Sequence, residues 1–263
     1  MTNLSLLDPK VLSFIRSPRA IAIPLVGAFV TASIWSIKDY RAFLALGRGG
    51  IPYNFFGWAL LTIFVRPFAL REEEATRMDE YPREGAHASI EALQPRKGER
   101  AVLKGIAPHR QLTQNAPEAM KKLLHEVFDE MVSKHPLLLK KKRSLYERHH
   151  DAIFLRPSLL QDANSSGIPD AARISRGEIG HVHEDGSMHL YFSPADTRLV
   201  VERGWAERHR LARTRPLLGR WNLFGVTSTY VMVYGPRDED ELAIVRVLLE
   251  SSVRFMSGRE EEL

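Results

Sequence analysis

Residues 177–205 read GEIGHVHEDGSMHLYFSPADTRLVVERGW. The stretch holds three histidines within nine positions: His181, His183 and His189. Glu184, Asp185 and Gly186 can form a three-residue hairpin loop, a type I turn whose glycine is left-handed. Such a loop pairs His183 with Ser187 and His181 with His189.

Side chains alternate between the two faces of a strand, so this register sorts the hairpin by parity. The odd positions share one face: Ile179, His181, His183, His189 and Tyr191. The even positions share the other: Val182, Met188, Leu190 and Phe192. A two-residue loop would mix apolar side chains with the imidazoles, a slip that is disfavoured when one face is core. The pattern therefore predicts three imidazoles on one surface.

Three chemical interpretations of this surface stay open. The histidines could simply be exposed on an open sheet face. They could supply three nitrogen ligands to a metal and leave one position free, with Glu178 nearby. They could also act as general base and hydrogen-bonding groups on an acidic organic substrate, because a neutral imidazole accepts a proton near pH 7. We expect the third, with no metal.

Composition excludes several other classes of site. The chain has 263 residues, 44% of them hydrophobic, which is enough to bury a core. It has no cysteine, so thiolate nucleophiles, disulfides and cysteine metal sites are excluded. No Gly-x-Ser-x-Gly elbow and no phosphate-binding glycine loop occurs. The net charge of +5 favours anionic partners, but aromatic residues are not interleaved with the basic run at 140–143, so we expect no nucleic acid.

The first 70 residues have the pattern of a membrane-attachment region. Ala20 to Ile37 is an uncharged run of eighteen residues, just long enough for a transmembrane helix. A cleaved signal peptide and a buried core helix are the alternatives. Phe55 to Val65 is apolar but too short to span a bilayer, which favours an interfacial or core segment. We therefore predict two domains, 1–70 and 71–263.

The second domain is predicted to be α+β, with a small antiparallel sheet and helices packed on one side. Amphipathic patterns predict helices over 115–135, 194–204 and 238–256, and a strand over 227–234. Between residues 203 and 220 there are six arginines and a single glutamate. This cluster, which includes Arg208, is expected to hold an anionic ligand.

Several motifs resemble those of the fungal luciferase family, enzymes that oxidise 3-hydroxyhispidin with emission of light. The resemblance covers nearly the whole chain, and its most specific motifs are Glu178-Ile179-x-His181-x-His183, His189-Leu190 and Gly204-Trp205-x-x-Arg208-His209. Other matching segments are 39–44, 152–155 and 234–239.

The resemblance implies a membrane-associated oxygenase that needs molecular oxygen and no separate cofactor. The substrate would be a hydroxypyrone, which passes through a cyclic peroxide and loses carbon dioxide. In that reaction His181 or His183 would be the base, and His189 would orient it or bind the peroxide. The substrate would be bound by the following residues: Glu178, Tyr191, Trp205, Arg208 and His209.

The chain departs from the family pattern after His209, where it reads RLAR. This keeps open a non-luminescent, membrane-anchored homologue, either a metal-dependent enzyme or a protein that binds an amphipathic anion. For either alternative, the partners expected are a small molecule and membrane lipid. The pathway that supplies the luciferin implies the endoplasmic reticulum membrane, with the catalytic domain facing the cytosol.

Overall fold

The computed structural model describes residues 18–161, 167–216 and 224–259. The chain forms two compact units, 1–45 and 46–263. In the first unit the described residues form one helix, α1 (Pro18–Ala45). Residues 46–70, which the sequence groups with the membrane-attachment region, belong to the second unit.

The helix predicted over Ala20–Ile37 forms, but its transmembrane role is not supported. Helix α1 continues past the apolar run through Lys38, Asp39 and Arg41. Among the residues that the structure describes, no helix combines the length and apolar character needed to cross a bilayer. The uncharged run is at the lower length limit for a span, and the helix continues from it directly into charged residues.

In its described parts, the second unit contains a small and a large antiparallel sheet. The small one pairs β1 (Leu103–Gly105) with β2 (His109–Gln111). The large one has the order β3-β4-β5-β6-β8-β7. Its strands are β3 (Leu139–Arg143), β4 (Asp151–Leu155), β5 (Glu178–Val182), β6 (Met188–Tyr191), β7 (Ala206–Arg208) and β8 (Tyr230–Val233).

Seven helices are described in this unit: α2 (Phe55–Leu60), α3 (Ala88–Glu91), α4 (Glu118–Lys134), α5 (Pro157–Gln161), α6 (Asp170–Ile174), α7 (Pro194–Glu202) and α8 (Glu239–Ser257). A π-helical turn, Leu61–Val65, continues α2, and 3-10 turns follow at Arg66–Phe68 and Glu72–Glu74. The α+β prediction is confirmed.

The long helices cover the even-numbered face of the histidine hairpin. Helix α8 packs on β5 and β6, and α4 packs on β3 and on α8. Leu124 of α4 and Leu249 of α8 share one buried core with Leu190 of β6. Asp238 caps the start of α8 by accepting from the Glu241 N–H, and left-handed Gly258 ends it. Loops cover much of the other face, which carries the histidines.

The hairpin has the predicted register. His181 pairs with His189, and the His183 N–H donates to the Ser187 carbonyl at 2.8 Å. Gly186 has a φ of +85°, the left-handed conformation that glycine adopts without a steric penalty. The prediction of a three-residue loop, rather than a two-residue loop, is therefore confirmed.

A β-bulge changes the face on which Glu178 lies. On β4, Ile153 pairs with Gly180, but the next residue, Phe154, pairs with Glu178. Ile179 is the extra residue, so Glu178 falls on the same face as His181 instead of the opposite one. The prediction that Ile179 lies on the histidine face by simple alternation is wrong at this position, because the bulge interrupts the alternation.

Candidate active site

The histidines face a cavity of about 290 Å³. Its polar wall contains five imidazoles: His109, His181, His183, His189 and His209. Its other walls are largely apolar or aromatic, among them Ile51, Ile106, Tyr146, Val226 and Tyr230. This volume is near the lower end of small-molecule pockets, so a compact organic substrate is the class of ligand that fits.

The three hairpin imidazoles are buried and close together. Their ring centroids are separated by 5.1 Å for His181 and His183, 4.9 Å for His183 and His189, and 5.4 Å for His181 and His189. Each is at most 3% exposed. The interpretation of the histidines as residues on an open sheet face is therefore wrong, since all three side chains are buried.

Hydrogen bonds fix the tautomer of each ring through Nδ1. The Nδ1–H of His189 donates to the Val231 carbonyl at 3.0 Å. The Nδ1–H of His183 donates to the Ser187 hydroxyl oxygen at 3.0 Å, because that hydroxyl donates its own proton to the Asp185 carboxylate. His181 donates from Nδ1 to the carboxylate of Glu178 at 2.8 Å. In the neutral form of each ring, Nε2 therefore carries the lone pair.

Glu178 is a buried carboxylate that accepts hydrogen bonds from three groups. Besides His181, it accepts from the Ser144 hydroxyl at 2.7 Å and from the Leu145 N–H at 2.7 Å. Glu178 is 1% exposed and is not among the described residues that line the cavity. It therefore supports His181 from behind, as the carboxylate of a Ser-His-Asp triad supports its histidine. The predicted direct contact with substrate is not what this geometry favours.

Burial keeps the other imidazoles neutral. Desolvation lowers the pKa of His183 and of His189 well below the usual value, and the neighbouring histidines lower it further. Desolvation also lowers the pKa of His109 well below its usual range and that of His209 to about 4. At neutral pH these rings are therefore uncharged.

His209 joins the cluster as predicted, but both of its nitrogens are occupied. Its Nε2–H donates to the Ile106 carbonyl at 2.9 Å, and its Nδ1 accepts from the Leu211 N–H at 3.1 Å. Its ring lies 5.2 Å from that of His189. His209 can therefore shape the cavity, with no free lone pair in this arrangement.

Tyrosines form a second layer beside the imidazoles. Tyr230 stacks on His189 with a centroid distance of 4.5 Å and packs on Tyr191 at 4.6 Å. The Tyr146 hydroxyl is 3.0 Å from that of Tyr191, and burial raises the pKa of Tyr146 to about 12. These phenols stay protonated near neutral pH. Tyr191 lies behind Tyr230 and Tyr146, which line the cavity in its place.

His109 and Tyr230 are among the cavity residues that the sequence patterns did not predict. His109 is on the three-residue strand β2, and its ring is 5.5 Å from that of His189. No pattern around it marks that proximity. Tyr230 lies in the predicted strand 227–234, and the pairing of Tyr191 with Tyr230 puts both on the histidine face. Knowing that β8 neighbours β6 would have been enough to find it.

Arg208 and Trp205 are not brought to the cavity. Arg208 pairs with Val231, which also pairs with Leu190, so it lies in a row on the face opposite His189. Its guanidinium donates to the carbonyls of Glu74 and Arg77. The indole N–H of Trp205 donates to the Gln94 carbonyl at 2.8 Å. Neither is among the described residues that line the cavity.

Other arginines of the cluster likewise hold the backbone together. Arg203 donates to the Ile90 and Glu91 carbonyls, Arg210 to Leu70 and Arg213 to Phe68. Their guanidinium groups fasten residues 68–91 onto the sheet. The expectation that the cluster holds an anion beside the histidines is therefore not what the structure shows.

Comparison with known proteins adds the family. A model of the luciferase domain matches residues 176–252, which include the histidine hairpin. Luciferases of Armillaria gallica and Armillaria mellea are each 30% identical over 227 residues, covering 84% of this chain and 81% of theirs. The luciferase of Neonothopanus nambi is 28% identical over 249 residues, covering 92% of this chain and 90% of its own.

No solved structure matches the chain. The similarity to the luciferases extends over most of both sequences, and the family domain contains the hairpin that builds the imidazole wall. From these matches, the chain belongs to the fungal luciferase family.

Proposed function

We propose that this protein is a luciferase-type oxygenase that oxidises 3-hydroxyhispidin, or a related hydroxypyrone, with molecular oxygen and emits light. The relatives named above are luciferases, which supports the reaction type. The observation that carries the proposal is the imidazole wall: unprotonated Nε2 atoms of the hairpin histidines facing a small, largely apolar cavity.

The first step is removal of the 3-hydroxyl proton. Molecular oxygen reacts slowly with a neutral closed-shell organic molecule and faster with its enolate. We assign the base to His181, because the Glu178 carboxylate at its Nδ1 stabilises the imidazolium that forms when Nε2 takes the proton. His183 is the weaker base, since burial lowers its pKa.

The later steps follow from the substrate's own reactivity. The enolate gives two electrons to dioxygen and forms a carbon–oxygen bond, which leaves a peroxide. The peroxide closes onto the lactone carbonyl, and the ring peroxide breaks with loss of carbon dioxide to an excited product. Oxygen is the co-substrate, and this scheme needs no cofactor. His189, whose Nδ1–H is donated to the backbone, suits a substrate hydroxyl better than a peroxide anion.

The cavity also suits light emission. Water near an excited product dissipates its energy, and apolar walls reduce the contact of the product with water. Tyr146, Tyr230 and Val226 provide aromatic and apolar walls, whereas Tyr191 and Trp205 were expected to bind the substrate.

The test is to mix the purified full chain with 3-hydroxyhispidin in air and to record photons, oxygen uptake and carbon dioxide release together. We expect all three, and none with hispidin, which lacks the hydroxyl whose proton starts the reaction. Oxygen uptake without light would support an oxygenase and contradict the assignment as a luciferase. Absence of all three signals from protein with a normal circular dichroism spectrum would contradict the proposed substrate.

We also propose that the protein attaches to the cytosolic face of the endoplasmic reticulum membrane. Helix α2 and the π-helical turn expose large apolar side chains: Phe55, Phe56, Leu60, Ile63 and Phe64, each at least 47% exposed. Such a surface favours insertion at the boundary between headgroups and acyl chains.

We predict that the double substitution Phe56→Ser and Phe64→Ser weakens sedimentation with phosphatidylcholine vesicles about tenfold or more, because each aromatic side chain contributes roughly 1.5–3 kcal/mol when buried. Leu137→Ser is the matched control, since Leu137 is 90% exposed but lies outside this surface. Equal sedimentation of the double variant and the control would contradict the attachment surface. Protease protection of tagged microsomes checks the orientation.

A further inference from the structure

We infer that the Nε2 atoms of His181, His183 and His189 form a binding site for one divalent transition-metal ion of the zinc or cobalt class. The three histidines are one of two buried groups in the described structure whose ring nitrogens lie within 4.8 Å of one another. In a tetrahedral site with zinc–nitrogen bonds of 2.0–2.1 Å, ligand nitrogens are roughly 3.3–3.4 Å apart. Side-chain rotations that move each ring nitrogen inward by about an ångström bring the three nitrogens to this spacing.

The outer contacts of these rings are those of metal-ligating histidines. A ligating imidazole usually donates its other N–H to a carboxylate, a carbonyl or a comparable acceptor, which fixes the tautomer and directs the lone pair. Here the three acceptors are the Glu178 carboxylate, the Ser187 hydroxyl and the Val231 carbonyl. All three rings therefore direct a lone pair from the same kind of nitrogen.

The second group, His109 with His189 and His209, is a poorer site. His209 already uses both nitrogens, so it could bind a metal only by breaking its bond with the Leu211 N–H or with the Ile106 carbonyl. His109 differs, because its buried Nδ1 has no hydrogen-bond partner. It lies beside His189, where it could hydrogen-bond a metal-bound water.

The chemistry of the ligands selects the metal. Three imidazole nitrogens favour zinc, cobalt, nickel or copper over magnesium and calcium, which prefer oxygen ligands. The rings come from neighbouring antiparallel strands and face the cavity, so a fourth coordination position would be open to it.

Occupation of this site has one consequence that rests on the proposed function. The ion would use the Nε2 lone pair that the proposed reaction needs as its base. Zinc should therefore inhibit turnover of the hydroxypyrone, and chelation should restore it. The binding site itself does not depend on the identity of the substrate.

The experiment uses the full chain, stripped with EDTA and dialysed. Addition of cobalt chloride should give the visible absorption of four-coordinate cobalt, saturating at one equivalent, and zinc chloride should displace it. His183→Gln should weaken zinc binding by roughly 100-fold or more, since even the loss of an outer-shell partner costs 10–100-fold. His125→Gln is the control, because His125 is exposed on α4.

His209→Gln separates the two groups and should keep one equivalent of cobalt. Loss of the cobalt spectrum in His209→Gln, with retention in His183→Gln, would overturn the assignment. Equal binding by the wild type and His183→Gln would also overturn it. Circular dichroism confirms the fold of each variant.

Activity distinguishes this site from the proposed function. If turnover requires the metal, the result supports the metal site and contradicts the cofactor-free reaction. If cobalt binds but the hydroxypyrone is never consumed, the result supports the metal site and contradicts the proposed substrate.

Discussion

Replacement of His181 by alanine is expected to lower turnover of 3-hydroxyhispidin by about 10²- to 10⁴-fold, the usual contribution of a general base. His181 is the hairpin histidine whose Nδ1 contacts a buried carboxylate, at 2.8 Å. Its loss leaves the cavity without a base that can hold the substrate proton as a stabilised imidazolium. The measurement is oxygen uptake under saturating substrate, with the variant's thermal unfolding as a check on its fold.

Two further variants test whether His181 acts as a base or only shapes the cavity. Added imidazole should restore part of the turnover of His181→Ala, because it can occupy the vacated space and accept the proton. Glu178→Gln should also lower turnover, by up to about 10⁴-fold, since an amide can accept or donate and no longer enforces the tautomer. His125→Gln, on the exposed face of α4, should leave turnover unchanged. Near-normal turnover of His181→Ala would remove the base assignment.

The register of the hairpin could be predicted from local sequence, because the turn chemistry and the alternation agree. Asp185 and Gly186 mark the turn, the separation of apolar and imidazole faces selects the three-residue loop, and the loop then sets every pairing up to His181 with His189. The position of Glu178 could not be predicted in this way. It depends on the bulge opposite Ile153 and Phe154, which reflects how β5 fits its neighbour β4.

The rest of the cavity depends on contacts between residues distant in the sequence. His109 reaches His189 from a separate two-stranded sheet, and Tyr146 reaches Tyr191 from the loop between β3 and β4. Neither segment carries a periodicity that points to these contacts. Arginine content was misleading for a similar reason. Arg208 and Arg213 bind carbonyls of residues 68–77, which composition cannot distinguish from binding an anion.

Acidification of the metal-free protein is expected to unfold it between pH 6.5 and about 5. In the unfolded chain, histidines take up protons near pH 6.5. In the folded chain, burial keeps the pKa of His209 at about 4 and lowers those of His109, His183 and His189 well below the usual value. Because the unfolded state binds more protons in this range, the free energy of unfolding falls as the pH falls.

The expected slope is steep. Each such histidine contributes up to about 1.4 kcal/mol per pH unit, so four together approach roughly 5 kcal/mol per pH unit against a total stability of about 5–15 kcal/mol. Glu130, whose pKa is lowered to about 2, would lose its contribution only at lower pH and does not confuse the window. Urea unfolding at several pH values in EDTA measures the slope.

His209→Gln should reduce that slope by up to about 1.4 kcal/mol per pH unit, because it removes one of these buried groups. Glutamine retains an N–H for the Ile106 carbonyl and an oxygen for the Leu211 N–H, the two contacts that His209 makes. The exposed His125 is the comparison: its substitution by glutamine should leave the slope unchanged. A stability that is flat from pH 6.5 to 5 would mean that the folded protein takes up these protons, and that the cavity is wetter and its imidazoles more basic than their burial implies.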